Sequence, residues 1–226
     1  KIVWAGTRHE LPGEFSSEAV TDCGGRLVIP GLVDCHTHLC FGGWRSEEFA
    51  LRLRGASYLE VAQSGGGIMS TVSATRAASV ESLVQKTSEH LDGMLRLGVT
   101  TVECKSGYGL SMDGELKQLE VYRQLSAKHC ITLVPTFLGA HVVPGEFQKS
   151  RSAYVQLLCE NVIPAIADKK LARFCDIFIE EGAFSLEEAR QVLGAAKQHG
   201  MGLKIHADQL SNGGGALLAA ELHAVS

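Results

Sequence analysis

From Leu32 onward the chain keeps one rhythm: a short apolar run, a turn, then a stretch with apolar residues at helical spacing. LVDCH (32–36), VTTVECK (99–105), ITLVPTFLG (131–139), FCDIFIE (174–180) and LKIHAD (203–208) read as strands. The stretches 47–53, 80–98, 114–129, 153–167, 186–200 and 215–224 read as helices. Gly98 and Gly200 stand where glycine ends a helix, and Ser185 with Glu188 makes a capping box at the start of another. The first thirty residues break the rhythm. KIVWAG and RLVIPG are β-like pieces parted by polar sequence, so 1–30 is expected to be part of a small β-module and 31–226 the main domain.

Strands alternating with helices imply a parallel sheet. Five such units suit an open doubly wound sheet or part of a (β/α)8 barrel. The polar residues decide between them. His36, His38, Lys105, His141, Glu180 and His206 all fall at or just past the C-terminal ends of strands, where a barrel gathers its chemistry. A closed barrel takes eight strands and typically ~250 residues, so the expectation is an α/β fold holding an incomplete barrel.

Candidate chemistry centres on VDCHTHLCFGGWR, Val33 to Arg45. Residues i and i+2 of a strand face one side, so His36 and His38 can reach one ion together while Cys35 and Thr37 face away. Cys40 has no C-x2-C partner, which argues against a thiolate knuckle. The bland reading is a pair of surface or cap histidines. His206, at the end of LKIHAD, supplies a third nitrogen if the strand ends converge. Gly65-Gly66-Gly67 and Gly213-Gly214-Gly215 lack the spacing of phosphate loops and read as places where backbone passes close to something. Lys105 and Lys204 read as the ends of buried stems rather than nucleophiles.

Composition adds exclusions. Of 226 residues, 45% are hydrophobic and 20% charged, with a net charge of −4. That is the mix of a soluble protein with a real core, and it gives no reason to expect nucleic acid or an anionic membrane as partner. No apolar run approaches the ~18 residues of a membrane helix, and the start lacks the layout of a secretory signal. Seven cysteines, odd in number and widely spaced, suit reduced thiols in a cytosolic protein.

PGLVDCHTH followed by a distant strand-end histidine resembles the amidohydrolase superfamily, metal-dependent hydrolases built on a (β/α)8 barrel. FGGWR (41–45), EFALRLRGASY (48–58), GGGIMSTVSATR (65–76), GVTTVECKSGYGL (98–110), PTFLGAHVVP (135–144) and KIHADQ (204–209) are similar to the imidazolonepropionase family within it. The resemblance implies hydrolysis that opens the ring of 4-imidazolone-5-propanoate to N-formimidoyl-L-glutamate in histidine degradation. It implies one divalent metal ion, Zn2+ or Fe, on His36, His38 and His206. Arg45, Tyr108, His141 and Gln209 then match substrate-contacting positions, with Tyr58 a weaker candidate.

One ion rather than two is expected, because Phe178-Ile179-Glu180-Glu181 carries no bridging lysine. The resemblance also implies a small-molecule substrate, a cytosolic location and a homodimer for the intact enzyme. It places an Asp ligand and the general base beyond Ser226, so no catalytic base is assigned here and little or no activity is expected of this chain alone. Two rivals stand beside it. One is another amidohydrolase acting on a cyclic amide or amidine, disfavoured by Gln209 where deaminases place Glu. The other is a non-catalytic shortened form that associates through exposed strand edges.

Overall fold

The computed structural model describes residues 2–16, 19–55 and 66–226. Five parallel strands pair in chain order: β1 (Leu32–Thr37), β2 (Val99–Lys105), β3 (Thr132–Ala140), β4 (Phe174–Phe178) and β5 (Gly202–His206). A doubly wound sheet reverses its strand order partway. This one never does, and it curls into a half-barrel with helices between the strands. After β5, the Val225 N–H donates to the Leu203 carbonyl (2.7 Å) and the Ile205 N–H to that of Ser226 (3.0 Å). Residues 225–226 thus lie against β5.

The helices are α1 (Ser46–Leu53), α2 (Ile68–Ala77), α3 (Val80–Arg96), α4 (Met112–Ser126), α5 (Arg151–Leu157), α6 (Ile163–Asp168), α7 (Leu186–Gln198) and α8 (Gly215–Leu222). The segment expected as one helix over 153–167 is α5 and α6 joined by a π-helical turn, Leu158–Val162. Pro164 explains the wide turn. It has no N–H and crowds the carbonyl four residues back, and the ladder shifts so that Ile163 N–H reaches Leu158 O. Helix α2 was not expected. Its apolar positions are diluted by Ser and Thr, and tertiary contacts rather than amphipathicity hold it.

Period-two alternation sorts the strands. Val102 and Cys104 of β2, Cys175 and Ile177 of β4 and Leu203 of β5 point into the apolar core shared with the helices. Glu103, Lys105, Asp176, Lys204 and His206 therefore share the concave face. That polar lining positions the site.

The expected β-pieces of the first thirty residues form no strand among the described residues. Two short 3-10 turns, Arg8–Glu10 and Gly13–Phe15, are found there instead. Val28 and Leu27 are 72% and 88% exposed. A strand needs a neighbour to take its N–H and C=O groups, and among the described residues no ladder pairs with this segment.

The capping box at the start of α7 is present. Ser185 Oγ accepts from Glu188 N–H (3.2 Å) and Glu188 Oε2 from Ser185 N–H (2.8 Å). Ser185→Ala should lower stability by about 1 kcal/mol, read as a lower urea midpoint at unchanged slope. A midpoint matching the parent would mean that the cap adds nothing.

Candidate metal centre

Strand β1 delivers His36 and His38 to the C-terminal mouth of the half-barrel, and β5 ends on His206. One ring nitrogen from each of the three lies within 4.8 Å of the other two. His36 Nε2 and His206 Nε2 stand 3.0 Å apart. Two nitrogens bound tetrahedrally to one ion at ~2.0–2.1 Å stand ~3.4 Å apart, so His36 and His206 are a few tenths of an ångström closer than that and His38 lies within 4.8 Å of both.

The donor set fits a divalent ion in two further respects. Nδ1 of His38 is buried with no hydrogen-bond partner, a cost that coordination or a bound molecule would relieve. Burial first, then the neighbouring His141, His36 and His206, brings the His38 ring down to about 3. Burial and the Lys105 ammonium lower His36 too. Neutral imidazole is the form that binds metal. Cysteine plays no part in the cluster: Cys40 is fully buried and burial pushes its thiol up to about 12.

Beneath His206 lies a charged network. Lys105 Nζ donates to Glu103 Oε1 and to Asp176 Oδ2, both at 2.7 Å. His206 Nδ1 meets Asp176 Oδ2 at 3.0 Å, and Thr136 Oγ1 donates to Glu103 Oε1. Burial alone would raise the Asp176 carboxyl, but the hydrogen bonds and charges of His206 and Lys105 outweigh it and hold it at about 2. Glu103 and Asp176 were not foreseen. The signal available was the alternation V-E-C-K, C-D-I and L-K-I-H, which puts these charges on one face of each strand.

The substrate-site candidates divide around the histidines. Arg45 and Tyr108 line a cavity of about 270 Å³ with His38, Phe41, Trp44 and Thr71. His141 stacks on His38 (centroids 5.3 Å apart) and sits 5.5 Å from the Tyr108 ring. Gln209 is on the other side, exposed, lining a cavity of about 470 Å³ with His36, Lys105, Asp176 and His206. Tyr58 lies outside the described residues.

Both loops of the first group are firmly held. Lys86 Nζ sits over the rings of Phe41 (3.8 Å) and Trp44 (4.0 Å), clamping the loop that carries Arg45. Gly42 passes so close to α2 that a Cβ would lie 2.4 Å from Ala74 O. The Tyr108 loop rests on α4. The fully buried Glu115 carboxylate accepts from the N–H groups of Gly107 (3.1 Å), Gly109 (2.9 Å) and Leu110 (2.8 Å). Gln118 accepts from Tyr108 N–H and donates to Cys40 O. The Tyr122 hydroxyl donates to Lys105 O and accepts from Cys40 N–H.

Glu180, another strand-end residue, faces away from this centre. Its carboxylate accepts from Leu210 N–H (2.8 Å) and from the backbone and hydroxyl of Ser211, latching the loop after β5. What passes close to the second glycine triplet is the Asp208 carboxylate, which accepts from Gly213, Gly215 and Ala216 N–H.

A half-barrel with three histidines converging at its strand ends is the architecture described so far, and the comparisons place it in a family. The amidohydrolase family model matches residues 27–222, and the chain belongs to that family. Within it, the chain is 57% identical over 208 residues to the imidazolonepropionase of Symbiobacterium thermophilum, covering 92% of this chain and 49% of that protein. It is 49% identical over 226 residues to the imidazolonepropionase of Paraburkholderia phymatum, covering 100% of this chain and 56% of that one. Against the Bacillus cytotoxicus imidazolonepropionase it is 52% identical over 225 residues, covering 53% of the relative. The chain thus spans about half the length of the curated relatives it matches. Among solved structures, 5-methylcytosine deaminase from Klebsiella pneumoniae superposes with a TM-score of 0.60 at 17% identity, over 92% of this chain and 48% of that one. That likeness is one of fold.

Proposed function

We propose that this chain supplies the metal-binding half of an imidazolonepropionase, which hydrolyses the ring of 4-imidazolone-5-propanoate to N-formimidoyl-L-glutamate. The observation that carries the reading is the meeting of three imidazoles from β1 and β5 at the strand ends, in a chain about half identical to proteins of that name. His36, His38 and His206 would hold one divalent ion, zinc or iron. Bound there, such an ion supplies Lewis-acid chemistry, activating water and polarising a carbonyl.

The other residues bind and orient. Arg45 offers a two-pronged donor to the carboxylate tail of the substrate. The Tyr108 phenol is pushed up by burial, against the pull of Arg45, so at neutral pH it keeps its proton and donates. His141 is held neutral chiefly by burial. Its Nδ1–H donates to Gly107 O (3.0 Å), which leaves Nε2 as an acceptor for a ring N–H. Gln209, a neutral amide, hydrogen-bonds rather than carries protons. A small-molecule substrate, a cytosolic location and a homodimeric intact enzyme belong to the same reading.

Two measurements test it. Purified chain should take up one equivalent of Zn2+ or Co2+, and His38→Ala should weaken that uptake tenfold or more in chelator competition; undiminished uptake would remove His38 from the site. The protein containing this chain, loaded with metal, should consume 4-imidazolone-5-propanoate and release N-formimidoyl-L-glutamate. Turnover of an aminated pyrimidine ring in its place would move the assignment to another branch of the family.

A further inference from the structure

The Asp176 carboxylate has every face engaged. Its Oδ1 accepts from Ile177 N–H (2.8 Å), while Oδ2 takes Lys105 Nζ (2.7 Å) and His206 Nδ1 (3.0 Å). It is 1% exposed. Lys105 is pinned in turn by Glu103, and Glu103 by Thr136 Oγ1. The carboxylate therefore cannot turn away from the imidazole without abandoning the Lys105 ammonium on β2 and the Ile177 N–H. A carboxylate oxygen only accepts, so the hydrogen between it and His206 sits on Nδ1. In the neutral ring, the form that binds metal, Nε2 is then bare, and it is this atom that faces His36 Nε2 at 3.0 Å.

We propose that Asp176, braced by Lys105 and Glu103, is the positioning residue that sets the ring plane and tautomer of His206, presenting Nε2 to the ion. The proposal rests on the reading of the three histidines as ligands and extends it to a carboxylate that touches neither ion nor substrate. A purely structural ion cluster would have no need to reach His206. It could close on Lys105 alone, since the ammonium already joins both carboxylates. Outer partners of metal-bound histidines hold the ring orientation, and their loss typically weakens metal binding 10–100-fold.

The test uses the 226-residue chain and Co2+. In Asp176→Asn the amide cannot serve all three donors, because either orientation turns an NH2 toward an N–H or toward the ammonium. The expected results are a ~10–100-fold weaker Co2+ affinity by chelator competition and a changed visible Co2+ spectrum. In the metal-free chain, ring 15N shifts of His206 should show the proton on Nδ1 for the parent and appreciable Nε2–H for the variant. A folded variant with the parent's affinity and tautomer overturns the proposal. So does a parent chain whose His206 carries its proton on Nε2, a measurement that needs no variant to fold. A parent chain that takes up no Co2+ overturns the three-ligand reading and the proposal together, whereas parental uptake with an indifferent Asp176→Asn overturns the proposal alone.

Discussion

Replacing Lys105 with methionine is expected to cost about 3–5 kcal/mol of folding free energy. The ammonium lies 2.7 Å from Glu103 Oε1 and 2.7 Å from Asp176 Oδ2, and all three residues are buried. Methionine fills similar volume, so little of the loss would come from a cavity. It would come from two carboxylates left facing each other across the concave sheet with no cation between them. Glu103 Oε2 already lacks a partner, so the network has no slack to absorb the loss. The mechanism has its own control. Neutralising both carboxylates in the same chain, Glu103→Gln with Asp176→Asn, should restore much of the stability, because the penalty lies in the unpaired charges rather than in missing attraction. Urea unfolding of the metal-free chains measures both. A loss below about 1 kcal/mol for Lys105→Met would mean that water or a rearranged Lys204, whose Nζ is 3.9 Å from Glu103 Oε1, already shares the charge.

Glu115→Gln should be nearly as costly, about 2–4 kcal/mol, although it changes no side-chain volume. The carboxylate gathers three backbone donors from the loop after β2, and among the described residues no other acceptor is paired with them. An amide offers one oxygen. Its NH2 would meet at least one N–H head-on in a fully buried place. The loop that loses its anchor is the one that carries Tyr108, so the local consequence is as telling as the global one. Amide exchange at Gly107, Gly109 and Leu110 should accelerate more than exchange in β3 or α7. Uniform acceleration, or a loss under about 0.5 kcal/mol, would show that Arg76, which donates to Gly109 O and Leu110 O, holds the loop by itself.

These two residues also mark the limit of what the chain discloses when read in one dimension. Helix α4 was expected from its apolar spacing, and on an amphipathic helix Glu115, Gln118 and Tyr122 look like members of the wet side. They are three and four residues apart, hence on one stripe, and all three are fully buried against loops from β1 and β2. Nothing local separates a polar stripe that meets water from one that meets orphaned backbone groups. Asp176 was missed for a related reason. Alternation gives the acid inside FCDIF a face, but what it meets on that face is unknown until the neighbouring strands are placed. Its main partner, Lys105, is 71 residues away.

Strand positions, most helix ends, the capping box at Ser185 and the three histidines at strand mouths were all legible in the amino-acid sequence. Each depends on spacing within a few residues, and the periods of 2 and 3.6 record that directly. The tertiary structure alone decided three other things. It set the strand order without reversal, placed Arg45, Tyr108 and His141 beside His38 but Gln209 beside His36 and His206, and buried a Glu–Lys–Asp chain under the last histidine. Those depend on which strand lies beside which. That choice is made by the curl of the sheet and by the exclusion of water from its concave face, a property of the whole assembly that no short window contains.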